Sequence, residues 1–302
     1  MLRQTENKVK IEGILSEIDI KPGSFNKNGQ TVESIGGVIK IKVDQKINGE
    51  DVSLEVPVHL FASKFTNKGT LNPAYESIKR VADEFVSIAA SDESKADRVR
   101  ITSASIRMNE YFNSNGTLVS FPRISASFVT KAKKEELKPE ASFEAEFAVV
   151  FKDYETNADG TETGRYKVQA ALPRYGGEVD LVTFYAINEN VINAVSNYWN
   201  VGDTVKASGK LNFSSKTETV LTEVDFGEPV ENTRTINVSE LIITGGSQPV
   251  DGDFVLPMEE VQKALTNRKV RLDAQKEKDM SKAKTKATPV QNTSNGFADL
   301  GF

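Results

Sequence analysis

Apolar and polar residues alternate over most of this chain with a period of two, the spacing that puts every second side chain on one face of a β-strand. Val9 to Asp19 reads as a first strand, and the turn-rich KPGSFNKNGQ that follows reads as a loop. Ile35 to Asp44 and Asp51 to Ala62 are the second and third strands, joined by the turn INGED. In the second, Ile39, Ile41 and Val43 are expected in the core, which turns Lys40 and Lys42 outward. In the third, Val52, Leu54, Val56, Val58 and Leu60 are expected inside, with Ser53, Glu55, Pro57, His59 and Phe61 on the other side; Pro57 marks an edge or a bulge. The period then changes. Tyr75, Ile78, Val81, Ala82, Phe85, Ile88 and Ala89 recur at three and four, on a helix that Asn72 caps and Pro73 starts.

From Asp97 to Lys131 two alternating arms flank Asn113-Ser114-Asn115-Gly116, residues that tolerate the positive φ of a tight turn, so a long hairpin is expected. Period two puts Val99, Ile101, Ser103, Ser105, Arg107, Asn109 and Tyr111 on one face. Arg98, Arg100, Thr102, Ala104, Ile106, Met108 and Phe112 take the other. Near the tip this arm offers Arg107, Tyr111 and Phe112, and the return arm adds Phe121 and Arg123. Guanidinium groups among aromatic rings suit a single nucleic-acid strand, with charge for phosphates and flat surfaces for bases. Half-buried cross-strand pairs packing on their own hairpin would leave the same pattern.

Five strands with a helix between the third and fourth is the element order of the OB fold, a small barrel used widely for oligonucleotides. The second half repeats that order. FEAEFAVVFKDYE, RYKVQAALPRYGG and EVDLVTFYA are three strands, NENVINAVSNYWN a short helix, and VGDTVKASGKLNFSS and TINVSELIITGG close the unit around a long acidic segment. Trp199, on that helix, is read as core. The expectation is a mainly β protein of two tandem OB-fold domains, 1–139 and 140–245, with the break near Glu135 to Glu140. A C-terminal extension, 246–286, carries a helix from Pro257 to Lys286 that packs Val261, Leu265 and Leu272 on the preceding barrel; 287–302 is a disordered tail.

Composition sharpens this picture. The 302 residues have no cysteine and one histidine, which excludes disulfides and thiolate metal sites, and no metal or other cofactor is expected. Net charge is -5, but it is uneven: residues 1–139 carry 21 basic and 18 acidic side chains, whereas 140–245 carry 8 and 17. Because charges beyond roughly 8 Å are screened at physiological salt, a local groove decides binding, and the acidic second unit is expected to bind more weakly, or instead to hold a protein partner or the other barrel. From Arg268 to Lys286 eight basic side chains stand against three acidic ones, a stretch able to add phosphate contacts. The opening MLRQTENKVK lacks the apolar core of a signal peptide, and no apolar run approaches the ~20 residues that span a bilayer; a soluble cytoplasmic protein is expected, without membrane contact. There is no GxxxxGK[ST] phosphate loop, and Glu155, Asn157, Asp159 and Gly160 imitate a calcium loop whose closing glutamate is replaced by Tyr166. No catalytic constellation emerges, and the chain is not read as an enzyme.

The phrase VGDTVKASGKLNF, Val201 to Phe213, resembles the segment by which bacterial and phage OB-fold proteins enter their fourth strand. With the tandem order and the tail, the chain resembles single-stranded DNA-binding proteins of tailed bacteriophages. That resemblance implies sequence-independent protection of single-stranded DNA during replication, recombination and repair in the bacterial host cytoplasm. Its tail, ending in Phe297, Asp299, Leu300 and Phe302, resembles the terminal peptide with which bacterial members recruit replication or repair proteins, although the family's acidic tip is reduced here to Asp299. Candidate nucleic-acid contacts are Lys40, Lys42, Phe61, Arg107, Tyr111, Phe121 and Arg123 in the first unit. In the second they are Arg165, Lys167, Arg174, Tyr175 and Phe213. The alternative is a structural β-rich virion or tail protein whose barrels pack into an assembly.

Overall fold

The computed structural model describes residues 2–222 and 230–286. Strands β1 (Asn7–Lys27), β2 (Gln30–Ile47) and β3 (Glu50–Ser63) precede helix α1 (Pro73–Glu84), and β4 (Arg98–Phe112) and β5 (Leu118–Ala126) follow it. Neighbours pair in the order β1-β2-β3-β5-β4, and β4 returns to β1, closing a five-stranded barrel. All pairings are antiparallel except β3 with β5. Ile11, Leu15, Ile39, Ile41, Val58, Ile101, Ile106 and Ile124 fill it, and α1 adds Ile78 and Val81. Asn72 caps α1 by accepting the Ala74 N–H at 3.0 Å. After a two-residue strand β6 (Thr130–Lys131), the order recurs in β7 (Glu140–Thr156), β8 (Glu162–Pro173), β9 (Val179–Ala186), helix α2 (Glu189–Tyr198), β10 (Thr204–Thr222) and β11 (Val230–Gly246). These close a second barrel in the order β7-β8-β9-β11-β10, around Phe143, Phe147 and Phe184, the last two stacked at 4.8 Å.

Three expectations are corrected. KPGSFNKNGQ is no loop: β1 and β2 run on through it as one long hairpin, turning only at Asn28 and Gly29, which take positive φ of 52° and 82°. Helix α1 stops at Glu84, where Phe85 turns extended, so Ile88 and Ala89 fall in a separate short 3-10 turn. The strict period of β4 breaks at a bulge. Ile11 pairs with Ile101, but Val9 pairs with Ala104, so one extra residue sits at Thr102 and Ser103. Val99, Ile101, Ala104 and Ile106 are therefore all buried, and Ser105 and Arg107 turn outward.

The barrels share one continuous sheet, because β1 pairs with β7 antiparallel from Asn7 opposite Ala145 to Glu12 opposite Glu140. Two carboxylates opposite each other would repel, but cations surround them. Lys10 and Arg100 reach Glu12 at 3.2 and 3.0 Å, and Lys10 and Lys210 reach Glu140 at 3.1 and 3.2 Å. Beside them Gln45 is buried between the barrels, accepting the Ala141 N–H at 2.9 Å and donating to the Leu211 carbonyl at 3.1 Å.

Helix α3 (Met258–Lys286) ties both barrels together. Its start packs Val261 and Ala264, with Leu256, on Ala148, Ala171 and Val179 of the second barrel, as expected. Its later turns instead lie on the β4–β5 hairpin of the first. Gln275 donates to the Glu110 carbonyl at 2.8 Å, Asp279 accepts the Phe112 N–H at 3.2 Å, and Lys276 sits 5.7 Å over the Phe112 ring. Gln45→Ala would strand the buried Ala141 N–H, and the expected outcome is a loss of about 1–3 kcal/mol of unfolding free energy in urea titration.

Candidate nucleic-acid interface

On the outer face of the first barrel β3, β5 and β4 lie side by side, and their outward side chains line an open cleft of about 550 Å³. His59 and Phe61 come from β3, Arg123 and Ser125 from β5, and Ser103, Ser105 and Arg107 from β4. Small serines leave the depth, while the larger groups form the rim. Phe61 is 60% exposed, and its ring meets that of Phe25, on the β1–β2 hairpin, at a centroid distance of 5.8 Å.

Arg107 and Arg123 are direct cross-strand partners. Side chains in that relation start from Cβ atoms roughly 4.5–5.5 Å apart, and like charges so placed repel. Among the described residues no carboxylate makes an ion pair with either guanidinium, and Nε of Arg123 is buried without a hydrogen-bond partner. Burial first, then the neighbouring cations Arg174 and Arg123, pulls the pKa of Arg107 below its ordinary value, against the opposing charge of Asp180. A guanidinium stays charged regardless. Burial also lowers the pKa of His59, and Arg123 adds to this. Further toward the hairpin tip, Phe121 and Tyr111 lie on the same outward face and are partly exposed. The opposite face of this hairpin carries Glu110, whose side chain is 6% exposed and pairs with Arg268 of α3.

The other candidates are placed differently. Lys40 and Lys42 do point outward, but Lys40 pairs with Glu17 at 2.6 Å and Lys42 with Glu93 at 2.8 Å. Arg174 pairs with Glu178 and reaches Asp180 at 3.6 Å, and Tyr175 stands free at the β8–β9 turn, 86% exposed. Phe213 is a correction: it is 3% exposed in the second barrel's core, so no face of its ring is open to a base. Trp199 is buried, as expected, and donates to the Ser247 carbonyl at 2.8 Å. Phe297, Asp299, Leu300 and Phe302 lie outside the described residues. Ser103 and Ser105 share the cleft with Arg107, as the alternation places them, whereas Ser125 and Ser127, and Phe25 beside Phe61, are brought there by strand register that sequence does not show.

That register also allows the two barrels to be compared position by position. The bulges Leu15/Glu17 and Val149/Phe151 correspond, and the inward pair Ile106–Ile124 matches Leu211–Leu241. Arg107 and Arg123 thus correspond to Asn212 and Glu240, and His59 to Tyr185. On the second barrel this face is satisfied internally. Asn212 donates to Glu240 at 3.0 Å, Arg165 pairs with Glu240 at 2.8 Å and with Glu155 at 3.3 Å, and its guanidinium lies 4.2 Å from the Tyr185 ring centroid. Lys167 lies 5.6 Å over Phe151.

Two closed five-stranded barrels, the first with an arginine-lined cleft on its outer face, define a mainly β protein. Its family is shown by sequence: the YorF family model matches residues 5–278, and the chain belongs to that family. No curated protein matches. Among solved structures, the chain is similar to the single-stranded DNA binding protein from Thermus aquaticus, with 11% identity and a TM-score of 0.47, covering 85% of this chain and 99% of that one. A deletion mutant of the same protein gives 11% identity and 0.46, covering 82% and 97%. A replication protein A heterotrimer bound to ssDNA gives 9% and 0.21, covering 88% and 70%. Among the described residues no three His, Asp or Glu side chains gather to hold a metal ion, and no helix is long and apolar enough to cross a membrane.

The back of the hairpin supplies a test of how the front is held. Glu110→Gln would leave Arg268, 13% exposed, without its carboxylate, and breaking a buried pair costs about 3–5 kcal/mol. Faster amide hydrogen exchange confined to β4, β5 and α3 is the expected result.

Proposed function

We propose that this protein binds single-stranded nucleic acid without reading its sequence, through the outer face of the first barrel, and that both barrels are OB folds spanning 1–139 and 140–245. The cross-strand pair Arg107 and Arg123 carries the proposal. Two guanidiniums face each other with no carboxylate between them, in a protein that neutralises the Glu12–Glu140 pair with three cations and the equivalent face of its own second barrel with Arg165. A phosphate chain supplies the missing charge, and the rings of Phe61, Phe121 and Tyr111 offer stacking surfaces at intervals along the same face. Serines in the cleft can donate hydrogen bonds to phosphate or sugar oxygens without distinguishing bases. Rings exposed on one sheet face suit a single strand, whose bases are free to stack on them, better than a duplex, whose bases stack on each other. Roles in DNA replication, recombination and repair, a phage setting, and recruitment of partner proteins by the terminal Phe297–Phe302 segment belong to the same reading and rest on the resemblance alone.

The test is fluorescence anisotropy of a labelled oligo-dT at two salt concentrations, with duplex as competitor. Binding that weakens with salt and resists duplex is expected; no binding at low salt would overturn the reading and leave a structural assembly role. Tyr111→Ala and Phe121→Ala should each cost about 1–3 kcal/mol of affinity. Arg123→Ala should lower the slope of log affinity against log salt by about one phosphate contact.

His59 makes a separate prediction. Its pKa is lowered in the free protein by burial and by Arg123, and a phosphate beside it would raise that pKa again. Binding would then take up a proton, so affinity should rise as pH falls through about 6.5, the ordinary histidine range. Because the chain has one histidine, His59→Asn should flatten that part of the profile.

A further inference from the structure

We propose that a strand leaving the first barrel's cleft at Arg107 continues onto the β8–β9 turn of the second barrel, where Arg174 holds a phosphate and Tyr175 stacks on a base. This rests on the binding reading above and assigns the second barrel a part that its own sheet face does not offer.

Position comes first. Arg107 lines the cleft, yet the charges acting on it include Arg174, Glu178 and Asp180 of the second barrel as well as Arg123. Strand β9 packs on β4, which brings the turn that precedes β9 toward the side of the first barrel that carries Arg107. The turn itself is closed by backbone hydrogen bonds. Arg174 donates its N–H to the Glu178 carbonyl at 2.7 Å, Gly177 donates to the Arg174 carbonyl at 3.2 Å, and Gly176 and Gly177 take positive φ of 86° and 77°. This geometry holds Tyr175 out at the tip, the most exposed of the large hydrophobic side chains among the described residues. A ring held in water by a closed turn gains nothing from the fold; it is placed to meet something else.

Charge completes the case. Asp180 is almost fully buried and lies under Arg174, fixing the guanidinium from below, while the partner on the outer side is the exposed carboxylate of Glu178. Arg174 is 19% exposed but its partner Glu178 is 57% exposed, so a phosphate arriving from solvent competes with a carboxylate that is free to swing away. The track would then run from the rings of Phe25 and Phe61, past His59, Arg123 and Arg107, to Arg174 and Tyr175.

The experiment compares two labelled oligo-dT lengths, about 6 nucleotides to fill the cleft and about 20 to reach the turn, within the range of one or more OB-fold site sizes. Tyr175→Ala, at a position too exposed to disturb folding, should weaken the longer oligonucleotide at least 5-fold and leave the shorter unchanged. Glu178→Gln should strengthen the longer one. If the shorter binds but neither variant alters the longer, the extension is wrong and the first-barrel reading stands. If neither length binds the unaltered protein, both are overturned.

Discussion

The ladder between β1 and β7 is the constraint on which the rest of this structure depends. Strand β1 pairs with β7 from Asn7 to Glu12 on one edge, with β4 from Val9 to Ile14 on the other, and with β2 from Ile14 onward, with register shifts between Leu15 and Glu17 and at the bulge in β4. By hydrogen-bonding the two barrels edge to edge, β1 and β7 remove the free edges that strands closing separate barrels would expose to other chains. The same ladder forces Glu12 opposite Glu140, and the surrounding lysines and arginine are the answer to that constraint. Gln45 closes the remaining polar gap. Once the barrels are fixed, α3 can span them and brace the β4–β5 hairpin from behind.

That bracing separates the two faces of the hairpin by task. Glu110 and Phe112 face α3, where ion pair, hydrogen bonds and ring contact hold them. Arg107, Tyr111 and, across the sheet, Phe121 and Arg123 face outward. A hairpin that carried its ligand groups on an unsupported tip would have to order them on binding. Under the proposed binding role, much of that cost would be met in folding, a form of preorganisation.

Much of this was legible in the sequence. The alternation of Ile39, Ile41 and Val43, the Asn72-Pro73 helix start and the Asn-Gly turns are local signals, and each marks an element that the structure contains. The repeated element order gave two units, and it is matched by two barrels with equivalent registers. What sequence could not show is what non-local register creates. The bulge at Thr102 and Ser103 decides which residues of β4 face out, yet no residue there announces it. The neutralisation of Lys40 by Glu17, of Lys42 by Glu93 and of Arg165 by Glu240 joins positions far apart in the chain. Phe213 stands between the polar Asn212 and Ser214, an alternation that itself marks an inward position, and it lies in the core with Leu211.

The equivalence of Arg107–Arg123 with Asn212–Glu240 has an evolutionary side. Two barrels of matching register invite the view that one unit was copied, and a copied unit can keep its architecture while its surface diverges. A reversal of sign at a single register position, Arg123 against Glu240, turns an open cationic face into one that binds its own Arg165. Redundancy of this kind lets the two copies diverge in a few outward side chains with no change to either core.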